Sequence, residues 1–296
     1  MARTHDDSWG VTQSVGATAL GVALARAAEM RRADRLFDDP CAQLFIDAAA
    51  GLGWSLPAGA VAERIKSIGD YAACRTRWFD DVFSSAASTG IRQAVILAAG
   101  LDARAFRLEW ADGTTIYEID QPEVLRFKVE TLNEHGVGST ASRYVPVGVD
   151  LRQDWPKALR EAGFDASQPS VWSAEGLLPY LPAAGQDLLF ERVDGLCAAG
   201  SRIAVEAFGR GFFDPEYLAA RREQMRRLHE QAGTSADGTS DVSDLWYIED
   251  RTDVGTWLTQ HEWQVSSIES REMMQSYGRP ASEIAPRTVY VDGTRA

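Results

Sequence analysis

An acidic residue follows a small-residue turn at a spacing that is typical of nucleoside-binding sheets. Residues 94–98 are predicted to form a buried strand, Ala99 and Gly100 the turn after it, and residues 115–119 a second strand that ends at Asp120. In an open α/β sheet such a turn brings the backbone close to the ligand, and an acid about 20 residues further on accepts hydrogen bonds from ribose hydroxyls. These residues therefore predict a bound nucleoside, with Asp120 on its ribose.

The turn also indicates which kind of nucleoside is bound. A dinucleotide site has the pattern G-x-G-x-x-G at the start of a helix, with the pyrophosphate against the helix N-terminus. That pattern is absent around Gly100. One glycine is sufficient where no pyrophosphate has to be approached, which favours a nucleoside without phosphates. Two alternatives stay open: a nicotinamide oxidoreductase, and a strand-to-helix turn without a ligand.

Two further acids follow predicted strands. Asp150 comes after residues 144–149, and Glu175 comes after residues 170–174. An acid together with the next backbone N–H, here that of Leu151, suits the amino group and ring nitrogen of adenine, whereas Glu175 is expected to point into the crevice of the sheet. The alternatives are an N-cap of the next helix for Asp150 and a structural ion pair for Glu175.

Two residues with substrate-side chemistry lie away from the strand ends. Pro179 and Pro182 stiffen the loop after the fourth strand, which can aim Tyr180 at a substrate. Arg75 and Arg77 lie two apart on a predicted helix, so at most one of them faces the site. An arginine in that position can hold a carboxylate through two parallel hydrogen bonds. A solvated surface position is the alternative.

The elements that position these residues alternate in type after residue 93. Near-continuous apolar runs are separated by helical segments, which predicts an α/β fold with a parallel sheet covered on both faces. The predicted strands are residues 94–98, 115–119, 144–149, 170–174, 202–207, 264–268 and 288–291. The predicted helices are residues 17–31, 60–87 (one long or two short), 122–135, 155–162, 183–198, 214–230 and 252–261.

The chain divides into a helical part and an α/β part. Residues 1–90 have no strand pattern and are predicted to be a helical N-terminal extension or cap. Residues 91–296 form the predicted core, and both parts together are expected to be one structural domain. An insertion at about residues 209–250 contains the polar loop 233–243, which is long for a compact domain and is typical of a mobile or functional segment.

Composition and charge exclude several classes of partner. The net charge of −13 argues against nucleic acid or an anionic membrane surface, because both need a basic surface. No apolar run approaches the roughly 20 residues of a membrane span, and the acidic N-terminus is unlike a signal peptide. We therefore expect a cytoplasmic protein that acts on a small molecule.

Cysteines and histidines give no sign of a metal centre. The cysteines Cys41, Cys74 and Cys197 have no metal-like spacing and are expected to be buried free thiols in a reducing compartment. The histidines are scattered along the chain, which argues against a histidine-based metal site.

Several sequence runs resemble a known family. The runs LAAGLDARAFRL, YEIDQPEVLRFK, VDLR and AEGLLPYLP are similar to the actinobacterial S-adenosylmethionine-dependent methyltransferases related to leucine carboxyl methyltransferases. The runs DDSWGVTQSVGATALGVALARA, LFDDPCAQLF, DLWY and RTDV are similar to the same family and stand in the expected order. The resemblance covers nearly the whole chain.

This resemblance implies a class I methyltransferase fold, which is Rossmann-like. The sheet would have seven mostly parallel strands, with the last one antiparallel, and a helical N-terminal extension over the cofactor, S-adenosyl-L-methionine. The implied cofactor contacts are Ala99 and Gly100 at the methionine part, Asp120 at the ribose, Asp150 and Leu151 at the adenine, and Glu175 and Arg75 at the amino-acid end. Arg75 and Tyr180 would also orient the substrate. The carboxyl-methylating enzymes keep a glycine where this chain has Ala98.

The reaction that follows is direct transfer of a methyl group to an oxygen atom. No histidine lies in a recognised motif, so the sequence offers no obvious general base. A carboxylate is already ionised at neutral pH and needs none, whereas a phenol or alcohol usually needs one. The sequence therefore favours O-methylation of a small-molecule carboxylate without a metal. A phenol or hydroxyl acceptor and a catalytically silent nucleoside-binding module stay open, and the sequence does not indicate the acceptor or the oligomeric state.

Overall fold

The apolar runs pair into a single sheet. Within residues 14–209, 211–212, 214–232, 245–281 and 285–296, which the computed structural model describes, seven strands lie side by side. They are β1 (Gln93–Leu97), β2 (Thr115–Asp120), β3 (Arg143–Gly148), β4 (Ser170–Ala174), β5 (Arg202–Ala207), β6 (Trp263–Glu269) and β7 (Val289–Arg295). Their order in the sheet is β3-β2-β1-β4-β5-β7-β6.

Only the last strand runs against the others. Strands β1 to β5 pair in parallel, and β7 is antiparallel to both β5 and β6. The expected class I methyltransferase sheet is therefore confirmed. The final strand is longer than the predicted 288–291 because it continues through Gly293, where a side chain would meet Ile203 Cγ2 at 3.2 Å and Trp263 Cε3 at 3.3 Å. A glycine usually weakens a strand, and here it permits close packing.

Helices cover both faces of the sheet. They are α1 (Ser14–Glu29), α2 (Cys41–Gly51), α3 (Gly59–Ser67), α4 (Gly69–Ser88), α5 (Arg104–Arg107), α6 (Pro122–Glu134), α7 (Trp155–Glu161), α8 (Ala183–Asp194), α9 (Pro215–Ala232), α10 (Val254–Gln260) and α11 (Ser270–Ser276). The predicted segment 60–87 is two helices, α3 and α4. The short helices α5 and α11 were not predicted. Helix α5 has only 4 residues, which is too short to show a helical period.

The two faces of β1 belong to different apolar cores. Val95 and Leu97 pack in a cluster with residues of α7, α8 and α10, while Ala94 and Ile96 pack in a second cluster with residues of α4 and α11. Buried residues that alternate in this way along a strand explain the near-continuous apolar runs, since both faces of a parallel sheet are covered.

The N-terminal helices pack over the turn after β1. A third apolar cluster joins Leu20 and Ala23 of α1 and Phe45 of α2 to Leu101 and Ala103, which follow that turn. Helices α1 and α2 are thus held at the carboxyl end of the sheet. The domain boundary near residue 90 stays a prediction. Residues 1–13 and 233–244 lie outside the described residues. They include the polar loop 233–243 and the first residue of the run DLWY.

The expectation of buried free thiols is confirmed. Cys41, Cys74 and Cys197 are buried and form no disulfide. Burial raises the pKa of the Cys41 thiol to about 11 and the pKa of Cys74 and Cys197 to about 12, so all three stay protonated at neutral pH. In the described part of the chain, no helix has both the length and the apolar character needed to cross a membrane.

A buried ion pair ties helix α6 to the sheet, and its removal is expected to destabilise the fold. Lys128 Nζ lies 2.6 Å from Glu118 Oε2, and both side chains are fully buried. Lys128→Met leaves the carboxylate buried without a cation, so the free energy of unfolding should fall by about 3–5 kcal/mol. Urea denaturation measures this change.

The control for this prediction is Lys157→Met. The side chain of Lys157 is 70% exposed and lies 3.8 Å from Glu161, and exposed pairs contribute only about 0–1 kcal/mol. An equal loss of stability in the two variants would contradict the structural role of Lys128.

Candidate functional site

A large cavity opens at the carboxyl ends of the parallel strands. Its volume is about 1140 Å³, and it lies where the strand order reverses between β1 and β4. Ligands bind at such switch points in open α/β sheets. The structure brings all the sequence-predicted site residues to its walls: Arg75, Ala99, Gly100, Asp120, Asp150, Leu151, Glu175 and Tyr180. Their individual binding roles stay predictions.

The turn after β1 is held in a left-handed conformation. Gly100 has a φ of 50°, and a Cβ at this position would meet the Cβ of Ala19 at 3.3 Å, so helix α1 closes directly over the glycine. Ala98 also has a φ of 50°. A non-glycine residue in this region costs about 1–3 kcal/mol of strain. This cost explains why a glycine suits the position that Ala98 occupies.

Asp120 is fixed by backbone donors and retains capacity to accept more hydrogen bonds. Gly100 N donates to Asp120 Oδ2 and Gln121 N donates to Asp120 Oδ1, both at 2.6 Å. A carboxylate has about four acceptor positions, so about two remain for ligand hydroxyls. Burial raises the pKa of Asp120, although both backbone donors act against the shift. These two open acceptor positions fit the two hydroxyl donors of a ribose diol.

Asp150 accepts more hydrogen bonds than the sequence indicates. Arg152 donates through its backbone N (2.7 Å) and Nε (2.9 Å) to Asp150 Oδ1 and through Nη2 (2.6 Å) to Oδ2, which also accepts from Gln121 Nε2. Burial would raise the pKa of Asp150, but the hydrogen bonds from Arg152 hold it below its usual value. The N-cap alternative is wrong, because Asp154 caps the next helix by accepting from Lys157 N.

Glu175 lies between two arginines. Its Oε1 is 2.9 Å from Arg75 Nε, and its Oε2 is 2.8 Å from Arg104 Nη1. Arg75 also reaches Glu206 Oε2 at 3.3 Å. Burial would lower the pKa of Arg75, but the carboxylates of Glu206 and Glu175 raise it. The ion-pair alternative for Glu175 is therefore what the structure shows, and it coexists with a position on the cavity wall.

This cluster continues into a longer series of alternating charges, which we call the charge chain. Arg104 Nε lies 2.7 Å from Asp80 Oδ1, Arg107 Nη2 lies 2.7 Å from the same oxygen, and Arg26 Nε lies 3.3 Å from Asp39 Oδ2. Arg107 Nε is 3.8 Å from Asp39 Oδ2. The charge chain consists of Glu206, Arg75, Glu175, Arg104, Asp80, Arg107, Asp39 and Arg26.

Sequence reasoning missed several of the residues that shape this site. Arg104 lies in the run DARAFR and begins α5, just after the turn, and Glu206 is the last residue but one of β5. The position of Glu206 at a strand end is the signal that points to the cavity. Tyr71 lines the same wall and donates its hydroxyl to Glu206 Oε1, and it lies 2.8 Å from Thr288 Oγ1.

The loop that carries Tyr180 is held by Arg251. This arginine donates through Nη1 to the carbonyl oxygen of Leu178 at 2.9 Å and through Nη2 to those of Leu181 at 3.3 Å and Tyr247 at 2.8 Å. Tyr247 N also donates to Pro179 O at 2.8 Å. Arg251 therefore joins the proline-bounded loop to the last residues of the 209–250 insertion.

The two arginines of α4 lie on different faces, as predicted. Arg75 is largely buried in the cavity wall, with its side chain 13% exposed, whereas Arg77 is 44% exposed and pairs with Asp81 at 2.9 Å. Among the residues that the structure describes, no cluster of three or more His, Cys, Asp or Glu side chains has the arrangement of a metal site.

Comparisons with known proteins relate this chain to methyltransferases. The family model of leucine carboxyl methyltransferase matches residues 19–194. A provisionally named S-adenosyl-L-methionine-dependent methyltransferase of Mycobacterium avium is 54% identical over 99% of both chains, and one of Mycobacterium marinum is 49% identical over 100% of this chain and 99% of its own. The crystal structure of a DUF574 family protein from Streptomyces avermitilis shares the fold, with a TM-score of 0.55 at 11% identity over 93% of this chain and 97% of that one.

Asp120→Ala is expected to weaken the binding of S-adenosylmethionine about 10- to 100-fold. Hydrogen bonds to a charged group contribute about 1.5–3 kcal/mol, and about 1.4 kcal/mol corresponds to a factor of ten in affinity. Calorimetric titration measures the change. Asp112→Ala is the matched control, because Asp112 is exposed in the turn before β2. Unchanged affinity in Asp120→Ala would remove the ribose assignment.

Arg251→Met is expected to loosen the Tyr180 loop and leave cofactor affinity unchanged. The variant loses charged donors to three carbonyl oxygens, so amide hydrogen exchange at Tyr180 and Leu181 should accelerate about tenfold or more. Arg271→Met, an exposed position on α11, serves as the control. Equal exchange rates in the two variants would show that Arg251 does not hold the loop.

Proposed function

Because this chain belongs to the leucine carboxyl methyltransferase family, it is an S-adenosylmethionine-dependent methyltransferase, and we propose that it methylates a carboxylate oxygen of a small molecule. The family assignment replaces the nicotinamide oxidoreductase and the silent nucleoside-binding module as interpretations of the sheet. The choice of acceptor atom depends on the residues of the cavity.

We assign the cofactor to the half of the cavity formed by β1, β2 and β3. The open acceptor positions of Asp120 fit the ribose. Asp150 already accepts four hydrogen bonds, so it would take the adenine amino group, beside Leu151 N, in place of one donated by Arg152 or Gln121. Glu175 and Arg75 offer an anion and a cation to the ammonium and carboxylate of the methionine part. The left-handed turn at Gly100 brings backbone close to the same place. The donor and acceptor set of this half therefore suits S-adenosylmethionine.

The carboxylate proposal depends on one observation: the acidic and hydroxyl side chains near β4 and β5 are already engaged with one another in hydrogen bonds and ion pairs. Glu175 and Glu206 each accept from charged or hydroxyl donors. Burial and the Glu206 carboxylate raise the pKa of Tyr71 well above its ordinary value. Tyr71 thus stays protonated, and its one hydroxyl proton, which is donated to Glu206 Oε1, would have to turn from Glu206 to reach an acceptor oxygen. An acceptor that arrives ionised needs nothing more from these groups.

When it is bound, S-adenosylmethionine supplies a methyl carbon to which the acceptor oxygen bonds, as the carbon–sulfur bond breaks with its electron pair left on sulfur. The protein's part is alignment. Arg75 and Tyr71 orient the acceptor, and the Tyr180 loop limits its motion. No proton has to be moved for a carboxylate.

One contact supports a hydroxyl acceptor as the second candidate. Glu206 lies beside the Tyr71 hydroxyl, and burial raises the pKa of Glu206. A carboxyl group with a raised pKa is a better general base. Tyr71 would pass its hydroxyl proton to Glu206 and take up the proton of the phenol or alcohol acceptor.

Rates as a function of pH separate the two candidates. For a carboxylate acceptor, kcat/KM should stay flat from about pH 6.5 to 9, because the acceptor is ionised throughout. For a hydroxyl acceptor that needs a base, it should rise with pH up to the pKa of that base. Initial rates are measured with labelled S-adenosylmethionine and a panel of carboxylic acids and phenols.

Tyr71→Phe supplies an independent check on the same question. With a carboxylate acceptor the loss in kcat should be less than about tenfold, whereas loss of a proton relay costs about 10²–10⁴-fold. Tyr277→Phe is the control, because its hydroxyl donates to Asp81 outside the cavity. A loss above a hundredfold in Tyr71→Phe alone would overturn the carboxylate proposal.

A further inference from the structure

The cavity has a second half, which the cofactor assignment leaves unused except for Arg75, whose guanidinium lies between Glu175 and Glu206 and is shared by the two halves. Ligand pockets usually have volumes of about 300–1,000 Å³, and this cavity reaches about 1140 Å³. The acids Asp120 and Asp150 stand at the ends of β2 and β3, on one side of the β1–β4 switch point. On the other side, beyond β4 and β5, the walls are mainly apolar. Such walls fit the apolar part of a ligand.

A series of aromatic side chains runs from the charged centre to the surface. We call Phe208, Phe212, Trp246 and Tyr247 the aromatic track. Phe208 follows Glu206 by two residues, its ring lies 4.7 Å from that of Phe212, and the Phe212 ring lies 5.2 Å from that of Trp246. All four side chains line the cavity.

Exposure increases along the aromatic track. Phe208 and Phe212 are 7% and 1% exposed, Trp246 is half-buried, and Tyr247 is 36% exposed. Leu188 of α8 lines the cavity as well and is 44% exposed. Large apolar side chains that are both exposed and part of a cavity wall mark its mouth as a binding surface.

From this track we propose that the methyl acceptor is a long-chain carboxylic acid, with its carboxylate at Arg75 and Tyr71 and its alkyl chain along the aromatic track to the mouth. The inference rests on the proposed carboxylate function. The rings of Phe208 and Phe212 are inclined at 82° and those of Phe212 and Trp246 at 51°. Because neighbouring rings are inclined to each other, neither pair forms a parallel slot for a flat aromatic ligand. A flexible alkyl chain can follow the changing ring surfaces.

The test uses saturated fatty acids of increasing length on protein saturated with S-adenosylhomocysteine, which prevents turnover. Each buried CH₂ contributes about 0.8 kcal/mol, which corresponds to about a fourfold gain in affinity. Calorimetry below the critical micelle concentration should show affinity rising by about two- to fourfold per CH₂ and then levelling off once the chain reaches the mouth. Affinity that is independent of chain length, or no binding at all, would overturn the inference.

Variants at the mouth locate the end of the chain. Tyr247→Ser and Leu188→Ser should lower the affinity for the longest bound acids about three- to tenfold and leave short acids unaffected. Ile248→Ser is the matched control, because Ile248 is 48% exposed beside Tyr247 but does not line the cavity. The same loss in all three variants would show that the chain does not follow the track.

A parallel assay separates this inference from the proposed function. Methyl ester formation is followed with labelled S-adenosylmethionine, and 1-alkanols of matched length replace the acids in a second series. If acids bind with the expected length dependence while only the alkanols are methylated, the carboxylate function fails and the apolar chain site stands. If short acids are methylated as well as long ones, the function stands and the chain site fails.

Discussion

The charge chain is the interaction on which the rest of the site depends. Burying a charge without a partner costs several kcal/mol, so each member requires the next one. The series links helix α1 through Arg26, helix α4 through Asp80, the turn after β1 through Arg104, and the end of β5 through Glu206. Elements that are distant in sequence are therefore held in one arrangement around Glu175. Transfer between two reacting atoms requires them to be held in a near-attack geometry, and the buried ion pairs of the charge chain hold the walls that would align them.

The polar half of the cavity is built on main-chain groups. Asp120 is held by two backbone N–H donors, and Gln121 contributes one of them while its side-chain amide reaches Asp150. One residue thus sets the separation between the two acids assigned to the ribose and the adenine. Because a backbone donor cannot change rotamer, Asp120 is held more rigidly than Asp150, whose donors are mostly side-chain groups of Arg152 and Gln121.

Strand-end residues could be predicted from the sequence, and residues that act through distant partners could not. Gly100 and Asp120 were found because strand, turn and acid follow one another within about 30 residues, a local pattern. Arg104 was missed because its partners Asp80 and Glu175 lie far away in the chain, and a run such as DARAFR is equally typical of a solvated helix. The hydrogen bonds that Asp150 accepts depend on the rotamer of Arg152, which no spacing rule supplies.

The aromatic track and the residues assigned to the cofactor lie in different parts of the chain. The matched family segment ends at residue 194, whereas Phe208, Phe212, Trp246 and Tyr247 all follow it. The residues assigned to the cofactor lie within the segment. Substitutions on the aromatic track would therefore change the wall of the acceptor half and leave in place the residues assigned to the cofactor. The two halves of one cavity are thus encoded by successive parts of the chain, joined through Glu206, which follows the segment and contacts Arg75 within it.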